Sequence, residues 1–166
     1  MATTQAVLRD ALGRATAARD ADLEDLLEEL RIPSVSTLPE RREDCLRNAR
    51  WLRDRFERLG MKTEMVDVMQ GGLPVVLAEW NGRPGHPHLT IYGHYDVQPP
   101  DPLDEWKSPP FEPAIHDGIL YARGAADNKG NHMATVKAVE HLFAAGGPPL
   151  NLRFLLEGEE DRKSVV

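Results

Sequence analysis

Apolar residues at Leu23, Leu26, Leu27 and Leu30 recur at the three-and-four spacing of one helix face. They predict an amphipathic helix that stops at "RIPSVS", where Pro33 lacks the backbone donor a helix needs. Cys45, Ala49, Leu52, Phe56 and Leu59 predict a second helix, closed by Gly60. The pattern then shortens. "KTEMVDVM", "PVVLAEW" and "HLTIY" are short, rich in branched residues and bounded by Gly, Asn or Pro, which predicts strands. The proline-rich "QPPDPLDEWKSPPFEP" is predicted as a shaped loop. "DGILYARG" predicts a short strand or turn leading into "AADNKGN". A helix is predicted through about "HMATVKAVEHLFAA", ending at Gly146–Gly147, and "LNLRFLLEG" predicts a buried strand. Strands alternating with helices predict an α/β fold, a three-layer arrangement with helices on both faces of a sheet. Residues 1–20 are mixed and alanine-rich and are expected to form a loosely held tail, with the folded unit over residues 21–166.

Composition narrows the function classes. The chain has 166 residues, enough for one domain with a core, and is 41% hydrophobic and 28% charged. A net charge of −7 argues against non-specific binding to nucleic acid or anionic membranes, which needs clustered Lys and Arg. No apolar run is long enough to span a bilayer, and the N-terminus lacks the apolar core of a secretory signal. The single cysteine, Cys45, excludes an internal disulfide or a cysteine-rich zinc site and makes a reducing cytoplasm the default location.

Three polar clusters sit at predicted strand ends. His94 and Asp96 follow "HLTIY", Asp127 and Asn128 follow "GILYARGAA", and Glu157, Glu159, Glu160 and Asp161 follow or close "LRFLL". In open α/β sheets ligands bind outside the carboxyl ends of strands, so the three can converge on one crevice. Histidine with several carboxylates is a ligand set for a divalent ion such as zinc. In extended chain, residues two apart share a side, so Asp96 can orient the imidazole of His94. "GAADNKG" is not a phosphate loop: the order is Lys129–Gly130–Asn131 rather than Gly-Lys-Ser/Thr, and Asp127 repels phosphate. His86, His88, His116, His132 and His141 are read as ordinary polar or core residues.

In combination, "GHYDVQP", "EWKSPPFEPAIHDGILYARGAADNKG" and "FLLEGEE" closely resemble the co-catalytic di-zinc metallopeptidase family. That family includes carnosine-type dipeptidases, glutamate carboxypeptidase, aminoacylases and succinyl-diaminopimelate desuccinylase. The resemblance runs from about Leu30 to Glu160 and is nearest to the dipeptidase branch. It implies that residues 21–166 are the N-terminal part of one metallopeptidase catalytic domain. It implies two divalent ions, zinc first and manganese or cobalt as alternatives. By the motifs, His94, Asp127 and Asp161 stand at metal-ligand positions, with Asp127 bridging. Asp96 stands as the acid supporting His94, and Glu160 as the general base. The peptide bond Asp127–Asn128 is implied to be cis, with Asn128 where the family often has Asp. The implied chemistry is amide hydrolysis of a dipeptide or an N-acyl amino acid, with Glu160 taking the proton of the attacking water.

The ending departs from the family. Where relatives continue "EEE-I-G-S", this sequence has "EEDRKSVV", with Asp161 for a glutamate and Lys163 for a glycine. A frameshift fits that ending. On this basis the chain is expected to lack a further carboxylate ligand, a C-terminal histidine ligand and the lid domain through which full-length relatives often form homodimers. It is therefore expected to be weakly active or inactive alone, with deacylation by the same chemistry, or a non-catalytic remnant, as alternatives.

Overall fold

The computed structural model describes residues 3–161; the unusual ending after Asp161 lies outside them. Helix α1 (Thr4–Ala17) starts where the Thr3 side chain accepts the Ala6 N–H at 3.3 Å. Helix α2 (Arg19–Leu30) opens with Asp20 and Asp22 against its positive end and closes before Pro33. Helix α3 (Arg42–Arg58) buries Cys45, Ala49, Leu52 and Phe56, the predicted stripe, and ends at Gly60, whose φ of 75° suits glycine. Strands β1 (Lys62–Val66), β2 (Val75–Trp80) and β3 (His88–His94) follow. Next come the short strands β4 (Ala114–His116) and β5 (Ile119–Tyr121), then helix α4 (Lys129–Ala144) and strand β6 (Asn151–Glu157).

The main sheet has the order β1-β2-β6-β3, antiparallel at its first two junctions and parallel between β6 and β3. β6 is interior and alternates: Leu152, Phe154 and Leu156 are buried, and Arg153 and Leu155 are half-buried. The buried set joins Val76 and Ala78 of β2, the α3 stripe, and Met133, Val136 and Val139 of α4 in one core. Phe56 and Phe154 meet with ring centroids 4.6 Å apart. Arg55 ties three helices, donating to Asp25 of α2 and, at 2.5 Å, to Glu140 of α4.

Two expectations are revised. β3 does not stop at Tyr92 but runs through His94, because His94 pairs in register with Glu157 of β6. "GILYARG" does not join the main sheet: β5 pairs only with β4, as a separate hairpin. Asp127 is therefore carried by the turn-rich segment ahead of α4, not by a strand of that sheet. Among the described residues, no helix is long and apolar enough to cross a membrane.

Candidate metal centre

The register between β3 and β6 builds the site. His94 lies opposite Glu157, so "HYDV" and "EGEED" leave the sheet side by side, and Tyr95 N–H donates to Glu157 O at 2.8 Å. The "IPSVS" segment pins the first of these. Ser34 Oγ donates to Tyr95 O at 2.6 Å, Asn48 Nδ2 donates to the same oxygen at 3.0 Å, and Val97 N–H donates to Ser34 O at 3.0 Å. The fully buried Tyr95 sends its hydroxyl to Pro74 O at 2.6 Å. Gly158 passes flat against that ring, where a Cβ would come within 2.3 Å.

His94 is buried and its two ring nitrogens face different groups. Nδ1 lies 3.1 Å from the backbone oxygen of Asp96, 3.4 Å from its carboxylate Oδ1 and 3.9 Å from Asp161 Oδ2. Nε2 lies 3.1 Å from Asp127 Oδ1 and 3.9 Å from Glu160 Oε2. Burial by itself disfavours the charged ring. The hydrogen bond and charge of Asp96, the Asp127 contact and the Asp161 charge outweigh it and push the His94 pKa up to about 9. Asp96 has no exposed surface; its Oδ2 accepts from Ser36 Oγ at 2.6 Å and from the Asp161 N–H at 3.1 Å.

The five residues singled out from the sequence thus meet in one place, on two sides of one imidazole. Asp127 and Glu160 lie on the Nε2 side, and the Asp127 side chain is 75% exposed. Asp96 and Asp161 lie on the Nδ1 side, both buried. Asp161 Oδ1 accepts from Gln98 Nε2 at 2.8 Å, and burial pushes its carboxyl pKa up. His94, Glu160 and Asp161 have ligand atoms within 4.8 Å of one another. Nδ1 is engaged by Asp96, so the nitrogen left for a cation is Nε2, beside Asp127 and Glu160. An imidazole nitrogen facing two carboxylates fits a divalent ion by donor chemistry. Glu159 turns away, its Oε1 accepting the Leu73 N–H at 3.1 Å. The Asp127–Asn128 peptide bond is cis.

Sequence patterns did not point to the residues that hold this arrangement. Ser36 fixes Asp96 across 60 positions. Lys129, fully buried, donates from Nζ to Glu29 O at 3.0 Å and to Ile32 O at 2.7 Å, tying α4 to the end of α2. Burial pushes its pKa down to about 8. Ser36 lies in a turn and Lys129 in the polar first turn of α4, so their local pattern carried no signal of burial.

Residues 90–164 match the model of peptidase family M20/M25/M40. Beta-Ala-His dipeptidase of Rattus norvegicus is 37% identical over 143 residues, covering 80% of this chain and 29% of that protein. Succinyl-diaminopimelate desuccinylase of Dechloromonas aromatica (strain RCB) is 51% identical over 77 residues, covering 45% of this chain and 20% of that protein. Among solved structures, human carnosine dipeptidase 1 superposes with a TM-score of 0.89 at 34% identity, over 96% of this chain and 36% of that one. An M20 family metallo-carboxypeptidase from Sulfolobus solfataricus gives 0.77 at 41% identity, over 87% and 32%. The chain therefore spans about three tenths of the length of the dipeptidase relatives it matches.

Proposed function

We propose that this chain belongs to peptidase family M20/M25/M40, whose model matches residues 90–164, and that it carries the N-terminal part of the active site of a metal-dependent amide hydrolase acting on dipeptides. The observation that carries this reading is the placement of His94 Nε2 against Asp127 and Glu160, with Asp96 behind the ring. His94 and Asp127 would hold the ion, zinc first, and Asp161 is the further ligand candidate once it leaves Gln98. A divalent ion, when bound, supplies a Lewis acid that polarises the scissile carbonyl and makes water acidic. Glu160, half-buried at the same opening, accepts the proton of the attacking water and passes it to the leaving amine nitrogen. Asp96 keeps the proton on Nδ1 and thereby leaves Nε2 as an electron-pair donor. A cytoplasmic location belongs to the same reading, with the lone Cys45 buried and unpaired.

Deacylation of N-acyl amino acids is the second reading, supported by the similarity of 51% over 77 residues to the desuccinylase. Both use the same groups; they differ in the acyl side of the substrate. Zinc titration by calorimetry, followed by hydrolysis assays on a dipeptide panel and an N-succinyl amino acid panel, tests the proposal. Zinc binding that disappears in Asp127→Ala supports the site. Binding that Asp127→Ala leaves unchanged sinks the ligand assignment, and turnover of acyl substrates alone selects the second reading.

A further inference from the structure

We infer that the buried Glu29–His132 pair is a positioning device for His94, fixing its backbone and so the direction in which Nε2 faces Asp127. The inference rests on His94 as a metal ligand and extends that reading to two residues outside the motifs. His94 is the last residue of β3, and the neighbouring Tyr95 N–H already serves the ladder to β6. In a parallel ladder alternate residues bond to one neighbour, so the backbone groups of His94 itself face away from β6. Both are taken up by the start of α4. Its N–H donates to Asn128 Oδ1 at 3.3 Å, and its carbonyl oxygen accepts from His132 Nδ1 at 3.2 Å. Residues 128 and 132 stand one helical turn apart and therefore on one face.

The His132 ring is itself held. Its Nε2 lies 2.8 and 3.0 Å from the two carboxylate oxygens of Glu29, and both side chains are fully buried. Nδ1 carries a proton, because the carbonyl it faces has none to give. As a source of stability such a pair is weak, since desolvation offsets its attraction and an apolar pair of similar volume often does as well. As a positioning device it does what an apolar pair cannot: it supplies the donor for His94 O and locks the ring that carries it. Lys129 secures the base of this arrangement by bonding Glu29 O and Ile32 O. His94 is thus oriented from two directions, through its ring by Asp96 and through its backbone by Asn128 and His132.

The test uses the full chain, with Zn²⁺ affinity from calorimetry and the visible absorption of bound Co²⁺ as a report on ligand geometry. Three proteins are compared: the parent, Glu29→Gln, and Glu29→Leu with His132→Leu. Loss of a group that orients a ligating histidine is expected to weaken Zn²⁺ binding about tenfold in the leucine variant, with an altered cobalt band and unchanged helix content. Glu29→Gln keeps the ring's contact with His94 and is expected to bind within about twofold of the parent. Unchanged affinity in a folded leucine variant overturns the inference, and so does an equal loss in Glu29→Gln. If the leucine variant does not fold, Glu29→Gln with His132→Phe keeps the ring volume, removes the donor and carries the same two outcomes. Failure of the parent to bind Zn²⁺ overturns the ligand assignment for His94, and this inference with it.

Discussion

Asp96 has no exposed surface, and of its two carboxylate oxygens Oδ2 takes both hydrogen bonds while Oδ1 stands 3.4 Å from His94 Nδ1. Ser36 Oγ supplies the shorter of the two contacts to Oδ2, at 2.6 Å. A hydrogen bond to a charged group contributes about 1.5–3 kcal/mol, so Ser36→Ala is expected to cost about 2 kcal/mol in urea unfolding. A loss below about 0.5 kcal/mol, the range of ordinary surface changes, would show that Asp96 does not depend on Ser36. Proton linkage gives a second expectation, for the metal-free chain. The pKa of His94 rises from 6.5 to about 9 on folding, so the native state binds more protons than the unfolded chain across that window. Stability from this group is complete below about 6.5 and is lost as pH rises through about 9. Lys129 runs the other way: its pKa falls from 10.5 to about 8, so stability rises with pH across that interval. Urea midpoints measured in chelator should fall from about pH 6.5 to 8, where His94 acts alone, and level between about 8 and 9, where Lys129 opposes it. His94→Gln should remove the fall and Lys129→Met should let it continue to about pH 9; curves unchanged by either substitution would refute the assignment. His94, Asp96, Asp127 and Glu160 could be singled out in advance, the first two by their His-x-Asp spacing and the others through motifs that resemble those of a known family. Ser36, Glu29 and His132 could not, because their roles arise from contacts 38 to 103 positions away.

Elements differ in how openly the sequence announces them, and the difference is physical. The α3 stripe is legible because that helix buries one continuous apolar face, and the α2 stripe because its leucines share one face, half-buried at Leu23, Leu26 and Leu27 and fully buried at Leu30. The start of α4 is hidden because its first turn, Lys129, Gly130, Asn131 and His132, is polar yet includes the buried Lys129 and His132. β3 extends past its apolar run because the register with β6, a long-range property, carries pairing to His94. The tightest constraint on that α4 turn is Gly130, where a Cβ would fall 2.0 Å from the Ala125 carbonyl oxygen. That oxygen is backbone and cannot swing aside. Gly130→Ala is therefore expected to reverse the usual helix preference for alanine and cost at least about 3 kcal/mol through forced backbone movement. The exposed Ala134 on the same helix is the control: Ala134→Gly should cost about 1 kcal/mol, the ordinary propensity difference. Thermal unfolding by circular dichroism decides, and a Gly130→Ala melting point equal to or above the parent's would contradict the close approach. Because Asp127 immediately precedes α4, the same substitution should also weaken zinc binding.

At the scale of the whole molecule, the α/β class and the meeting of the His94 and Glu160 clusters could be read in advance from the alternation of elements; the arrival of Asp127 at the same place could not, since no strand of the main sheet carries it. The sheet's order could not, because nothing local says that the last strand, β6, inserts between β2 and β3. That insertion makes β3 an edge: among the described residues no strand pairs with its other side. The strand is seven residues long, its outward residues include Leu89 at 49% and Tyr92 at 57% exposure, and it carries no Lys, Arg, Asp or Glu. Native edges are usually guarded by charge, proline or a bulge, and an unguarded apolar edge templates pairing with another chain. The isolated chain is expected to self-associate at tens of micromolar, about the range in which exposed strand edges associate. Leu89→Lys places a charge on that edge and should lower the light scattering of concentrated samples at the cost of a modest drop in the unfolding midpoint, worth about 1 kcal/mol, since half of Leu89 is buried. Dimers that persist in Leu89→Lys at the parent's strength would place the contact elsewhere, on the exposed Leu8 and Leu12 of α1 or Val68 and Met69 beyond β1. A parent chain that stays monomeric at about 100 µM would mean that the edge is already protected.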